Sequence, residues 1–236
     1  MTVPTRGGDP PSPPASPAGD ISRPGELAPV SQEREPHAGD QVSALFERRE
    51  QPVRELADQA AAVAAACYDM AIRFHRGGKL VVFGVGGAST DAQHVAVEFV
   101  HPVIVGKRAL PAISLTTDIA TVTGIAAGEG MAAIFSHQLR WLAEPSDIAL
   151  GISAGADDPS VLAGLETAHD LGLLTIALAR ADGSVATSKA VDHALVTSAT
   201  DPRVVKEVHV TAYHVLWELV HVFFEQPGVL DPGVVT

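Results

Sequence analysis

The chain has 236 residues, of which 46% are hydrophobic, enough for the core of one domain of ordinary size or of two small ones. Its 16 Lys and Arg residues stand against 28 Asp and Glu residues, so the field of the protein repels nucleic-acid phosphates and anionic lipids, and we expect neither nucleic acid nor membrane as a partner. The only cysteine, Cys67, excludes an internal disulfide. With no visible signal peptide and no apolar stretch long enough to span a bilayer, the sequence predicts a cytoplasmic protein.

The N-terminal region changes in composition near residue 40. More than half of the 17 prolines precede it, among Gly, Ser, Asp and Glu residues, which predicts a disordered tail over 1–39. From Asp40 apolar residues recur at helical spacing, and Pro52 predicts the start of a second helix, because proline suits a first helical turn. The pair Gly77-Gly78 predicts the end of that helix.

After residue 78, short apolar runs alternate with helical segments. The runs cover 80–83, 112–115, 148–152, 174–178 and 193–196, and the helical segments cover 90–101, 118–127, 131–143, 159–171, 183–189 and about 203–225. Strands that are apolar throughout are typical of a parallel sheet covered by helices on both faces. The sequence therefore predicts an α/β fold, a doubly wound five-stranded parallel sheet flanked by helices. We expect one domain over 40–229 and a flexible C-terminus over 230–236.

A glycine-rich turn, 84–90, joins the first predicted strand to the next helix with the sequence Gly84-Val85-Gly86-Gly87-Ala88-Ser89-Thr90. Glycines let a ligand approach the backbone, and the free N–H groups at a helix start attract an anion. A dinucleotide is disfavoured, because Ser89 stands where its fingerprint needs Gly or Ala and no acidic residue closes the second strand. Another ligand loop and a purely structural turn both stay open.

His94 and Glu98 lie four residues apart and therefore on one face of the predicted helix. An imidazole and a carboxylate at this spacing can share a metal ion, act as an acid–base pair, or form an ordinary surface contact. His214, on the apolar last helix, would meet them if the two helices pack side by side. A core histidine with no chemical role is the alternative for His214.

Several motifs follow one another in a specific order over about residues 50–225. They are the glycine-rich turn, Asp91-Ala92-Gln93-His94 to Glu98, Leu110-Pro111-Ala112-Ile113-Ser114-Leu115-Thr116-Thr117-Asp118, Gly151-Ile152-Ser153, and Glu207-Val208-His209 to His214. This order resembles the sedoheptulose 7-phosphate isomerases (phosphoheptose isomerases) of the sugar isomerase (SIS) family. The resemblance implies the SIS fold, a homotetramer, and conversion of a ketose phosphate to an aldose phosphate through an enediol. It implies that Glu98 moves the proton between adjacent carbons, that His214 serves the oxygens, and that His94, Glu98 and His214 hold zinc together with a glutamine.

The resemblance also implies a set of substrate-binding residues: Gly86, Gly87, Ala88, Ser89, Thr117, Asp118, Ser153, Asp158 and Lys206. Two motifs depart from the family. An Asn and a Ser of its glycine-rich loop are Val85 and Ala88 here, and its Ser-Thr-Ser-Gly-Asn-Ser phosphate loop reads Ser153-Ala154-Gly155-Ala156-Asp157-Asp158. We expect weaker phosphate binding, because hydroxyl donors give way to carboxylates, with partial compensation by the hydroxyls of Ser89, Thr90 and Ser160.

Lys206 stands where the family has its metal-binding glutamine. An ammonium group there repels a dication, so we expect zinc to bind weakly or not at all, with Lys206 paired to Glu98 in the place of the metal. A lysine that points to solvent is the alternative. The departures leave a second function open, a non-catalytic SIS-fold protein that binds a sugar derivative or acts as a regulatory or adaptor protein.

Overall fold

The computed structural model describes residues 38–226 and 228–230. The helices are α1 (Ala38–Asp58), α2 (Ala60–His75), α3 (Gly87–Val100), α4 (Ile119–Glu129), α5 (Ile134–Leu142), α6 (Pro159–Asp170) and α7 (Pro202–Glu225). The strands are β1 (Leu80–Gly84), β2 (Ala112–Ser114), β3 (Ile148–Ile152), β4 (Leu174–Arg180) and β5 (His193–Thr197). The predicted tail over 1–39 lies outside the described residues except for Ala38 and Gly39, which begin α1, and of 230–236 only Leu230 is described.

The five strands form one parallel sheet in the order β2-β1-β3-β4-β5, which confirms the predicted fold class. The chain first adds a strand on one side of β1 and then continues on the other side through β3. In sheets of this kind the crevice for ligands lies beyond the carboxyl ends of the strands at that reversal, here between β1 and β3. The loops after β1, β2 and β3 therefore frame the expected site.

Helices cover both faces of the sheet. On one face α2, α3 and α7 pack with the end of α1 against Leu80 and Val82 of β1, and on the other face α4, α5 and α6 pack against Val81 and Phe83. Successive side chains of a strand point to opposite faces, so a strand covered on both sides must be apolar at every position. Every residue of β1 and of β3 is buried, as the apolar runs predicted.

Two helix predictions from local pattern are wrong. Pro52 lies inside the single helix α1, and the break between α1 and α2 falls at Gln59, whose side-chain amide donates to the Val196 carbonyl and accepts from the Val196 N–H at the sheet edge. The segment 183–189 forms turns instead of a helix, and its Ser184 N–H donates to the Ala156 carbonyl. In both places a contact with a distant segment decides the backbone.

The helices α3 and α7 lie side by side in the same direction, because each follows a parallel strand. Three contacts join them at successive levels: Lys206 with Asp91, His214 with His94, and the indole N–H of Trp217 with the Glu98 carbonyl at 2.9 Å. Because each helix follows the carboxyl end of its strand, the N-termini of α3 and α7 lie at the carboxyl edge of the sheet. Among the described helices none is both long and apolar enough to cross a bilayer.

Candidate active site

The structure brings His94, Glu98 and His214 together on adjacent helices. Nε2 of His94 lies 3.3 Å from Nε2 of His214 and 3.4 Å from Oε1 of Glu98, and the candidate ligand atoms of the three residues all lie within 4.8 Å of one another. The His94 side chain is 45% exposed, whereas that of Glu98 is 12% exposed. A substrate that reaches the cluster from solvent therefore meets the imidazoles first and a shielded carboxylate behind them.

The chemistry of these donors fits a zinc ion. Two imidazoles and a carboxylate with an open fourth position are typical of catalytic zinc sites, and tetrahedral ligands at about 2.0–2.1 Å from the ion lie about 3.3 Å from one another. The separations of His94 from Glu98 and from His214 are close to that value. The geometry is equally suited to proton transfer between a carboxylate and an imidazole.

Two aromatic residues that the sequence analysis did not identify support the cluster. Tyr213 is buried, with its ring centroid 5.6 Å from that of His94 and 4.7 Å from that of His214. Burial raises the pKa of Tyr213 to about 12, and the negative charges of Asp91 and Glu98 act in the same direction. Trp217 holds the backbone of Glu98 through its indole N–H. Both were hidden among the apolar residues of α7, and only their inter-helix contacts distinguish them.

Lys206 does not reach the cluster. Its ammonium group donates to both carboxylate oxygens of Asp91 at 2.6 Å, to the Gly87 carbonyl at 3.0 Å and to the Thr90 hydroxyl at 3.2 Å. The predicted pair with Glu98 is therefore wrong, and so is the alternative of a lysine in solvent. The reason is the rise of the helix, because eight residues separate Lys206 from His214 and correspond to about 12 Å along α7. Asp91 is the carboxylate at the level of Lys206.

His209 is a second residue of α7 with an unusual environment. It is buried, and its Nε2 has no hydrogen-bond partner among the described residues. Burial lowers the pKa of His209 to about 4; the Ala179 carbonyl and the Asp91 charge oppose this shift, and the Lys206 charge adds to it. The imidazole borders a cavity of about 280 Å³ that also touches the first turn of α3 and the first turns of α7.

The predicted glycine-rich ligand loop is mostly the first turn of α3. Gly86 has a φ of 57°, which favours glycine, and Gly87, Ala88 and Ser89 are already helical. The Ser89 hydroxyl donates to the Gly86 carbonyl at 2.7 Å and the Thr90 hydroxyl to the Gly87 carbonyl at 2.8 Å.

The hydroxyl of Ser160 likewise donates to a backbone carbonyl, that of Met131, at 2.9 Å. Without a ligand, each of these hydroxyls thus donates within the fold, and partial compensation for lost phosphate donors by Ser89, Thr90 and Ser160 stays a prediction.

The remaining predicted binding residues lie in the loops after β2 and β3. The Thr117 hydroxyl donates to the Ser114 carbonyl, and Asp118 accepts from the amide and hydroxyl of Thr121, which lower its pKa. Ser153 and Asp158 are buried, and burial raises the pKa of Asp158. The sequence-predicted residues thus form two groups. One group lies in the loops at the carboxyl edge of the sheet, and the other is the cluster at His94. His94 lies seven residues, or about 10 Å, along α3 from Gly87.

Comparison with known proteins identifies the family of the chain. The family model of the SIS domain matches residues 43–180. The chain belongs to the SIS domain family. Among relatives of this SIS protein, the phosphoheptose isomerase of Solidesulfovibrio magneticus is 39% identical over 180 residues, which cover 76% of this chain and 87% of that protein. The phosphoheptose isomerase of Desulfovibrio desulfuricans is 38% identical over 179 residues, which cover 75% of this chain and 84% of that protein.

Solved structures with the SIS fold are similar over most of the chain. The phosphoheptose isomerase from Francisella tularensis has a TM-score of 0.69 at 30% identity and covers 78% of this chain and 97% of its own. The phosphoheptose isomerase from Neisseria gonorrhoeae has a TM-score of 0.70 at 26% identity, with 77% and 97% covered. The resemblance stated from the sequence motifs is therefore confirmed at the level of family and fold.

Proposed function

We propose that this SIS protein is an aldose–ketose isomerase that converts a ketose phosphate, or a related sugar derivative, to the corresponding aldose through an enediol. The observation that carries the proposal is the shielded carboxylate of Glu98 next to the imidazoles of His94 and His214. Relatives at 38–39% identity that bear the name phosphoheptose isomerase support the same reaction class.

Glu98 is the base in this proposal. Its carboxylate removes the proton from the carbon next to the substrate carbonyl, and the electrons of that C–H bond form the C=C bond of the enediol while the carbonyl oxygen becomes a hydroxyl. Glu98 then delivers a proton to the former carbonyl carbon, and exchange of the proton held on Glu98 with solvent in between labels the product in D₂O. His214 moves the second proton between the two oxygens.

His94, Glu98 and His214 would hold the zinc ion. When bound, the ion acts as a Lewis acid that polarises the substrate carbonyl. The objection to zinc from the sequence was an ammonium group at the cluster, and Lys206 is instead bound to Asp91. We therefore propose a zinc site that His94 and Glu98 preorganise by their spacing on one face of α3.

The test is the exchange of substrate protons with D₂O, followed by NMR for sedoheptulose 7-phosphate with and without added zinc. Glu98→Gln keeps the shape of the side chain and removes its basicity, so exchange should fall by a factor on the order of a hundred or more. Glu166→Gln is the matched control, because it removes an exposed carboxylate of α6, a helix on the other face of the sheet. Equal exchange in the wild type and in Glu98→Gln would remove the catalytic assignment.

A non-catalytic sugar-binding or adaptor protein is the second candidate. It is favoured by the loop after β3, where Asp157 and Asp158 stand in place of the hydroxyl donors of the family and Ser153 is buried. Under this alternative the wild type binds a sugar derivative but shows no proton exchange in either the presence or the absence of zinc. Exchange by the wild type that Glu98→Gln abolishes would exclude it.

A further inference from the structure

The cavity of about 280 Å³ beside His209 lies where the strand order of the sheet reverses, at the carboxyl ends of β1 and β3. Val85, directly after β1, and Ala154, two residues after β3, line it together with the N-terminal turns of α3 and α7. Sheets of this topology bind their ligands at such a point. Neither Asp157 nor Asp158 is among its lining residues in the described part of the chain.

The first turn of α3, which borders this cavity, has no side-chain cap. Its N-cap is Gly86, which has no side chain that could accept from the first N–H groups of the helix. The N–H groups of Ala88 and Ser89 donate to the carbonyls of Val85 and Gly86, and no described residue accepts from the N–H of Gly87. Free N–H groups and the helix dipole at such an end attract an anion.

Two cations and one carboxylate line the same cavity. Asp91 holds the ammonium group of Lys206 at 2.6 Å, and the Lys206 side chain is 41% exposed, so a ligand has access to it. The ammonium group has three protons for four contacts, and the two longest are to a backbone carbonyl at 3.0 Å and a hydroxyl at 3.2 Å. A phosphate oxygen is a stronger acceptor than either. Arg203, the second cation, pairs with Asp201 and has a side chain that is 70% exposed.

His209 is the polar side chain that the fold leaves without a partner at this cavity. The residue is 2% exposed, and its Nε2 has no hydrogen-bond partner among the described residues. The ring is hydrogen-bonded to the Ala179 carbonyl, so Nδ1–H is the donor, and the neutral ring keeps an accepting lone pair on Nε2. Burial lowers the pKa of His209 to about 4, and the charged groups that act on the ring are those of Asp91 and Lys206. A singly protonated phosphate has the P–O–H group that Nε2 lacks as a donor.

The distance from this cavity to the His94 and Glu98 cluster suits a seven-carbon sugar phosphate. Asp91, His94 and Glu98 share one face of α3, because they are spaced three and four residues apart. Gly87 lies about 10 Å along α3 from His94. Since a C–C bond of about 1.5 Å advances an extended chain by about 1.3 Å, C2 and the phosphorus of a heptose 7-phosphate lie about 9 Å apart. One substrate molecule therefore spans both places.

We propose that this cavity binds the phosphate group of the substrate, with the Gly87 N–H and the Lys206 ammonium group as donors and Nε2 of His209 as the acceptor of a phosphate proton. The proposal rests on the proposed function and assigns its phosphate subsite. It supplies the donors that the loop after β3 lacks, since Asp157 and Asp158 present like charge to a phosphate. Lys206, in the place of a neutral glutamine, is thus a phosphate-binding residue.

Calorimetry with the full chain compares sedoheptulose 7-phosphate, sedoheptulose and inorganic phosphate as ligands. We expect the phosphate ester to bind at least about tenfold more tightly than sedoheptulose, and inorganic phosphate to compete with it. Lys206→Gln should weaken binding of the ester at least about tenfold and leave binding of sedoheptulose unchanged. Lys189→Gln is the matched control, because it removes an exposed lysine that precedes β5 at the opposite edge of the sheet, and it should change neither affinity.

Proton uptake tests the role of His209. In two buffers of different ionisation enthalpy at pH 7.5, the wild type should take up close to one proton per bound ester, because the second pKa of a phosphate ester is about 6 and the free ester is a dianion. His209→Leu should lose most of this uptake. Arg203→Gln removes a cation of the cavity without uncovering a buried carboxylate, so it should also weaken the ester and serves if Lys206→Gln fails to fold.

Three results would each overturn the proposal: an ester that binds no more tightly than sedoheptulose, wild-type affinity for the ester in folded Lys206→Gln or Arg203→Gln, and equal proton uptake in the wild type and in His209→Leu. A wild type that binds none of the three ligands would do the same. Binding of the ester as expected, but with no exchange of its carbon-bound protons in D₂O, would contradict the isomerase and support the phosphate subsite. The two failures are therefore distinguishable.

Discussion

Lys206 and Asp91 join the N-terminal ends of α7 and α3 through an ion pair in which the ammonium group contacts both carboxylate oxygens at 2.6 Å. The Asp91 side chain is 7% exposed, so the charge that Lys206 neutralises is one that water hardly reaches. The same two helices carry His94, Glu98 and His214 further along. The ion pair therefore fixes one end of the helix pair on which the candidate catalytic cluster depends.

Lys206→Met should destabilise the protein, because it leaves the Asp91 carboxylate shielded and unpaired. We expect a loss of about 1–3 kcal/mol in the free energy of unfolding, below the full cost of breaking a buried pair because Lys206 itself is partly exposed. Urea denaturation measures the change. Lys107→Met is the matched control, since its partner Glu225 is mostly exposed, and it should cost less than about 1 kcal/mol. Equal losses in the two variants would contradict the role of Asp91.

Purified protein should bind about one zinc ion per chain, because His94, Glu98 and His214 together form one candidate site. His214→Ala removes one of the three ligands and should weaken zinc binding more than tenfold, since even the loss of a group that only orients a ligand costs about 10–100-fold. Metal analysis and competition with a chelator measure the affinity. Lys206→Gln should leave the zinc stoichiometry unchanged, because Lys206 is bound to Asp91 and not to the cluster. A metal-free wild type whose Lys206→Gln variant gains zinc would contradict this prediction.

His209 should make the protein less stable as the pH falls from about 6.5 to about 4. Burial lowers its pKa from 6.5 to about 4 in the folded state, so in this interval the unfolded chain binds a proton that the folded chain does not. The full loss at low pH is on the order of 3 kcal/mol. Urea denaturation at pH 7.5, 6 and 5 measures the trend, and His209→Leu should lack this part of it. A variant with the same pH dependence as the wild type would disprove the assignment.

The exposed face of α1 should bury itself against another copy of the chain. Val42, Leu45 and Phe46 lie one turn apart and are exposed, Phe46 by 69%. Closed symmetric assembly is the usual way to cover such a face, and the family resemblance implies a homotetramer. Light scattering should give a mass that is a multiple of 24.5 kDa, and Phe46→Glu should lower it while circular dichroism stays unchanged. A wild-type mass of one chain at micromolar concentration would contradict this expectation.

Local sequence patterns were reliable where burial alone decides the structure. The runs at 80–83 and 148–152 correspond to strands because the central strands are covered on both faces and tolerate only apolar side chains. Local helix patterns were wrong at Pro52 and at 183–189. There the competing influence is a distant contact: Gln59 pairs with the edge of β5, and Ser184 donates to the loop after β3.

The candidate site likewise combines features that the sequence predicted with features that only the tertiary structure showed. By itself the sequence indicated the SIS fold, through the resemblance of its ordered motifs to that family. It also determined the pairing of His94 with Glu98, because the geometry of one helix places residues four apart on one face. Only the tertiary structure decided the rest. It brought His214 to His94, assigned Lys206 to Asp91 rather than to Glu98, and directed the Ser160 hydroxyl to the Met131 carbonyl. Each of these outcomes depends on the level at which separate elements meet, and that level is set by their packing on the sheet and not by the spacing of residues within either one.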